Sequence, residues 1–152
     1  MILDDATATA ALGERLGALL EPGDLVVLTG PLGAGKTTLA QGLGRSLGVP
    51  GAVRSPTYTL VDVHEGGRVP LVHMDAWRLG DSDEVEGLGL DEAPAGTVFL
   101  VEWGERVAPA IADPDRGWVV VRLDRPEGTD HRTAELEPHG GTWAERLGAL
   151  GA

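Results

Sequence analysis

The chain predicts a layered α/β fold, a mixed and largely parallel sheet flanked by helices, and three observations carry that expectation. An uninterrupted apolar run, "LVVLT" at Leu25 to Thr29, is the kind of strand that parallel sheets bury on both faces. A glycine-rich loop and a helix-forming segment follow it directly. Further short apolar runs alternate with helical segments, with no repeat, low-complexity tract or linker between them, so residues 1–152 are expected to form one domain.

The elements follow in order. "DDATATAALGERLGALL" places Ala8, Leu12, Leu16, Leu19 and Leu20 at helical spacing, with Asp4 or Asp5 as N-cap and "EPGD" as the stop. "LVVLT" is the buried strand, and "KTTLAQGLGRSLG", Lys36 to Gly48, is a helix closed by Gly48 and Pro50. "YTLVDVH" and "PLVHMD", joined by the turn "EGGR", predict a β-hairpin over residues 58–75. "DSDEVEGLGLDEA" begins as a helix capped by Asp81 or Ser82 and breaks at its glycines. "VFLVEW" is another short buried strand, and "WVVVRLDR" and "DHRTAELE" are strands separated by "PEG". "TWAERLGAL" closes the chain as an amphipathic helix with Thr142 as its cap.

Composition narrows the function. A formal charge of −12 opposes a free-standing nucleic-acid binder, which needs a basic face to neutralise phosphates. Cysteine is absent, which excludes disulfides and thiolate metal sites and accords with a cytoplasmic protein. No apolar run approaches the roughly 18 residues of a membrane span, and "MILDDATATAALGERLG", without a basic segment followed by an apolar one, is not expected to act as a secretory signal. High glycine and few aromatics predict tight turns around a core of Leu, Val and Ala.

"GPLGAGKT", Gly30 to Thr37, matches G-x-x-x-x-G-K-[ST] at every fixed position. Main-chain N–H groups reach the β- and γ-phosphates of a nucleoside triphosphate only where side chains do not intervene. Gly30, Gly33 and Gly35 remove that obstruction and allow positive φ. Lys36 is the only lysine, and every other of the 12 basic residues is arginine. A slim ammonium fits between phosphoryl oxygens inside a ring of amides, where the planar fork of arginine does not. The Thr37 hydroxyl suits Mg²⁺, and the helix beginning near Lys36 adds its N-terminal partial charge.

Phosphoryl transfer also needs a carboxylate near Mg²⁺ and a group that orients water. In an open α/β sheet both belong at the carboxyl ends of strands. Asp75 in "PLVHMDAW" and Glu102 in "VFLVEW" end apolar runs in this way, and spacing does not divide the two roles between them. In "RSPTYTLV", Ser55, Thr57 and Thr59 offer hydroxyls for sensing a γ-phosphate. His73 and Trp103 read as core residues, the histidine satisfied there, and Arg54, Arg78 and Arg132 as surface pairing partners of the many acids. No cluster has zinc spacing.

Together, "GPLGAGKTTLAQGLGRSLGV", "SPTYTLVDVH", "HMDAWRLGDSDEVEGLGLDE" and "LVEWGERV" closely resemble one family, the bacterial tRNA threonylcarbamoyladenosine biosynthesis ATPases (TsaE, formerly YjeE). The similarity covers nearly the whole chain and weakens after about Trp118. The phosphate loop is common to many NTPases, whereas the order of the other strings is specific. Departures are small: Trp77 stands where tyrosine is usual and Arg54 where lysine is common.

The resemblance implies an ATPase using Mg²⁺ and ATP in the cytoplasm. It would serve the other subunits of the threonylcarbamoyl-transfer complex, of TsaD and TsaB type, and meet tRNA only through them. It implies nucleotide contacts from Leu32, Gly33, Ala34, Gly35, Lys36, Thr37 and Thr38. Thr37 and Glu102 would hold Mg²⁺, Asp75 and Thr57 would complete the γ-phosphate and water environment, and Ala6, His131 and Arg132 would flank adenine. The rival reading is a small-molecule kinase, for which "RLGDSDEVEGLGLDE" is too acidic to serve as a phosphate-covering lid. A GTP switch fails because an N-K-x-D motif needs a second lysine, and a nucleotide-independent scaffold is the remaining non-enzymatic reading, which Lys36→Ala tests.

Overall fold

Seven strands form one sheet in the order β1-β7-β6-β2-β5-β4-β3. The strands are β1 (Ile2–Leu3), β2 (Leu25–Thr29), β3 (Val61–His64), β4 (Leu71–Asp75), β5 (Val98–Glu102), β6 (Trp118–Asp124) and β7 (Arg132–His139). The helices are α1 (Ala6–Leu19), α2 (Lys36–Ser46), α3 (Ser82–Glu86), α4 (Ala108–Ile111) and α5 (Trp143–Gly148), with a 3₁₀ turn at Leu90–Glu92. This computed structural model describes residues 1–51, 53, 61–77, 79 and 82–151, without the side chain of Ser82. The sequence expectations for Arg54, Ser55, Thr57, Thr59, Arg78 and Asp81 lie outside the described residues.

The central strands β6, β2, β5 and β4 run parallel, and antiparallel pairs close both sides of the sheet. Every residue of β2 is buried, as its unbroken apolar run requires. Val26 and Leu28 pack with Leu12, Leu16, Leu39, Leu43 and Trp143, so α1, α2 and α5 cover one face. Leu25 and Val27 pack with Val72, Met74, Val85 and Ala108 on the other face, beneath α3 and α4. The alternation follows from the two-residue period of a strand.

Local signals placed most termini. Asp5, rather than Asp4, caps α1, its carboxylate accepting the Ala8 N–H at 2.8 Å. Helix α2 ends at Ser46, two residues short of Gly48, which turns the chain away at φ 75°. Thr142 stands at the N-cap of α5 but makes no side-chain capping bond, so packing of Trp143 and Leu147 holds that helix. Strand β1 and helix α4 were not anticipated, because elements of two and four residues carry no measurable periodicity.

Helices α1 and α2 touch through backbone. A Cβ on Gly13 would lie 2.2 Å from the Leu39 carbonyl oxygen, and one on Gly42 would lie 2.1 Å from that of Ala10. Neither obstacle is a flexible side chain. Gly42→Ala therefore forces the helices apart, although alanine is the better helix former, and the expected loss is about 1–3 kcal/mol. Urea denaturation reads it as a lower midpoint, and an unchanged or raised midpoint would show that the crossing is looser than described.

At the amino end of β2 sits a buried ion cluster. Asp24 is fully buried, and Arg146 and Arg116 converge on its carboxylate, the latter at 3.2 Å. The Glu21 N–H donates to Asp24 at 2.8 Å, and the Arg146 guanidinium stacks 3.9 Å from the Trp143 ring centroid. At the same end of the helical layer, Arg68 of the β3–β4 turn donates to the Gly17 and Leu20 carbonyls at 2.7 and 3.0 Å. Its N–H donates to Leu47 at 2.8 Å, so one turn satisfies carbonyls at the ends of both helices.

Candidate phosphate-loop site

Three adjacent parallel strands end together and aim their last residues at one place. In register, Leu28 pairs with Glu102 and Glu102 with Asp75, so the loop after β2 emerges beside both carboxylates. Gly30 makes the exit possible: at φ 148° it passes so close to β6 that a Cβ would lie 2.2 Å from the Leu123 carbonyl oxygen. Gly35, at φ 107°, then occupies the N-cap of α2 and starts the helix on Lys36.

A cleft of about 390 Å³ results, lined among others by Gly33, Gly35, Lys36, Thr37, Asp75 and Glu102. Three other concavities, of about 530, 560 and 420 Å³, are larger, but none contains the loop, so chemistry rather than size selects this one. The Lys36 ammonium donates to the carbonyls of Gly30 at 2.5 Å and Pro31 at 3.2 Å and lies 4.9 Å from the Trp103 ring centroid. Burial pushes its pKa below the ordinary lysine value, while Glu102 and then Asp75 oppose that shift.

Asp75 has one oxygen pinned by the Trp77 N–H at 2.9 Å, which fixes its carboxylate where the chain leaves β4. Glu102 is buried, and His73 Nε2 approaches its Oε2 at 3.2 Å. That approach lies off the hydrogen-bonding direction, and among the described residues His73 Nδ1 has no partner either. His73 is thus in the core as expected but is not a satisfied core residue. Trp103 departs further from expectation. It is half-buried rather than core, with an edge-to-face partner in Trp77 at 5.0 Å, and is the one described non-glycine residue at positive φ, 57°. Its N–H bond to the Leu28 carbonyl, 2.7 Å, holds this turn, a conformation costing on the order of 1 kcal/mol.

The remaining expected site residues divide. Leu32, Thr38 and Arg132 line the cleft, with Leu32 fully exposed. Ala34 is buried, which leaves a ligand only its main chain. Ala6 is exposed at the start of α1, and His131 is half-buried; neither lines the cleft, and Thr57 is outside the described residues. Among the described residues Arg132 pairs with no acidic side chain: its Nη1 donates to the Asp130 carbonyl at 2.6 Å, and its Nε is buried without a hydrogen bond, 3.6 Å from where a Gly35 Cβ would stand. Thr9 of α1 lies 3.3 Å from the same point, and nothing in its local sequence marks it.

Among the described residues no three His, Cys, Asp or Glu side chains gather as a metal cage. Magnesium does not require one, since it is commonly held by one or two carboxylates together with substrate phosphates and water. The hard oxygens of Thr37, Glu102 and Asp75 fit that pattern.

A parallel core ending in this glycine loop defines a protein of the phosphate-loop NTPase fold class, and comparison narrows it further. The family model described as "Threonylcarbamoyl adenosine biosynthesis protein TsaE" matches residues 3–133, past the point near Trp118 where the motifs weaken, and the chain belongs to that family. A relative named tRNA threonylcarbamoyladenosine biosynthesis protein TsaE, from Streptomyces coelicolor, is 52% identical over 120 residues, covering 77% of this chain and 79% of that one. Its Mycobacterium leprae namesake is 41% identical over 143 residues, with coverages of 88% and 87%. The crystal structure of YdiB from Bacillus subtilis superposes with a TM-score of 0.73 at 30% identity, over 99% of this chain and 90% of that one.

Proposed function

We propose that this chain binds and hydrolyses Mg-ATP and so supports threonylcarbamoyl transfer to tRNA, carried out by companion subunits of TsaD and TsaB type. Family membership supports the pathway. One observation carries the chemistry: the only lysine, the first-turn threonine and two strand-end carboxylates converge on one cleft beside a glycine loop.

In this reading the loop's amides and the Lys36 ammonium bind the β- and γ-phosphates. Thr37 and Glu102 hold Mg²⁺, which when bound neutralises charge between the phosphoryl oxygens. Asp75, oriented by the Trp77 N–H, accepts a hydrogen bond from the attacking water. Trp103 packs against Lys36 and shields that ammonium from solvent. Nucleotide binding sets the surface on which companion subunits dock, hydrolysis resets it, and turnover by the isolated chain is slow.

Reconstitution tests the proposal. With companion subunits, Mg-ATP and unmodified tRNA, threonylcarbamoyladenosine is expected to form over many turnovers only when this chain is present, and companions are expected to stimulate phosphate release. Product formation indifferent to the chain overturns it. Phosphate appearing on a small metabolite instead would identify a kinase.

A further inference from the structure

The sheet is covered unequally. Helices of 14 and 11 residues, with α5, lie over one face, whereas among the described residues the helices on the other are α3 of 5 residues and α4 of 4. Strand β5 has parallel neighbours on both sides, and such strands normally bury both faces. Yet Phe99, the only phenylalanine, is half-buried, as are Leu90 and Ile111 beside it. With Val85 they floor a groove of about 560 Å³ between α3 and α4, and its rim carries the exposed acids Glu86 and Asp91. No Lys, Arg or His occurs from Leu79 to Glu105.

We infer that this groove receives an amphipathic helix of a companion subunit. Its apolar ridge rests on Phe99, Leu90 and Ile111, and arginine or lysine flanking that ridge pairs with Glu86 and Asp91. Charge selects the occupant. A second copy of a chain of charge −12 would bring acid against acid, and nucleic acid would bring phosphate against acid. A helix, about 10 Å across, supplies the layer that two single-turn helices leave open. The inference rests on the proposed work with companion subunits but concerns a face separate from the phosphate loop, since none of the groove's lining residues lines the nucleotide cleft.

Two variants test it, the double charge reversal E86K/D91K and A110R, which lays a cationic side chain over the groove from an exposed position of α4. Affinity for the purified companion subunits is measured by interferometry with Mg-ATP at low and high salt, and nucleotide uptake by calorimetry. Each variant is expected to weaken the complex by about ten-fold or more and take up Mg-ATP as the parent does. Salt should weaken the parent complex more than that of E86K/D91K. Parent-like affinity in both variants overturns the inference and leaves the proposed function standing. Failure of the parent chain to bind companions overturns both. Concentration-dependent dimerisation abolished by A110R would assign the groove to a second copy and overturn the inference alone.

Discussion

Replacing Lys36 with alanine should reduce Mg-ATP uptake by about 2–4 kcal/mol, a loss of thirty-fold to several hundred-fold. The reason is geometric as well as electrostatic. The ammonium is held among the Gly30 and Pro31 carbonyls and the Trp103 ring, in a site that contains Glu102 and Asp75. Without the lysine, phosphates would enter beside two carboxylates with no cation from the loop to offset them. Lys36→Arg should restore little, because a planar fork does not fit a pocket sized for an ammonium. Parent uptake should also weaken with rising pH. The protonated lysine binds phosphate, and burial lowers its pKa, so the loss begins below the pH at which an ordinary lysine with a value of 10.5 would cause it. Calorimetry on the parent and the two variants decides the matter. Uptake by the alanine variant equal to the parent's would sink the assignment of this loop to phosphate.

Asp24→Ala is expected to cost about 3–5 kcal/mol of folding stability, a large share of the roughly 5–15 kcal/mol available to a typical domain. The carboxylate is fully buried beneath two guanidiniums, and the Arg146 side chain beside it is only 13% exposed. Removing it leaves two cations facing each other and the Glu21 N–H without its acceptor. Thermal denaturation followed by circular dichroism should show a fall of about 10 °C or more. Mg-ATP uptake in the cold should be nearly unchanged, because Asp24 precedes β2 and the cleft follows it, on the order of 16 Å along the strand. A melting temperature within a degree or two of the parent's would mean that water already screens the cluster.

Much of the site was legible because its chemistry is local. The loop, its lysine and Thr37 are consecutive, and their spacing carries the demand of phosphate for amides, an ammonium and a hydroxyl. Asp75 and Glu102 were legible as carboxylates ending apolar runs, since a strand buried on both faces places a charge most readily at its end. The paired helices were legible by period and the central strands by their unbroken apolar runs, while β1 and α4 were too short for either signal.

Residues joined across the sheet were not legible. Trp103 read as core, but the turn after β5 forces it to positive φ and swings its ring over Lys36. His73 read as a satisfied histidine, yet the parallel register of β4 with β5 sets it against Glu102. Arg132 and Thr9 flank Gly35 from opposite ends of the chain. What a loop of this motif is suited to hold could be read from consecutive residues, because that depends on neighbours a few bonds apart. The side chains that line the candidate cleft became visible in the fold alone, because strand order and register bring together residues that no local pattern connects.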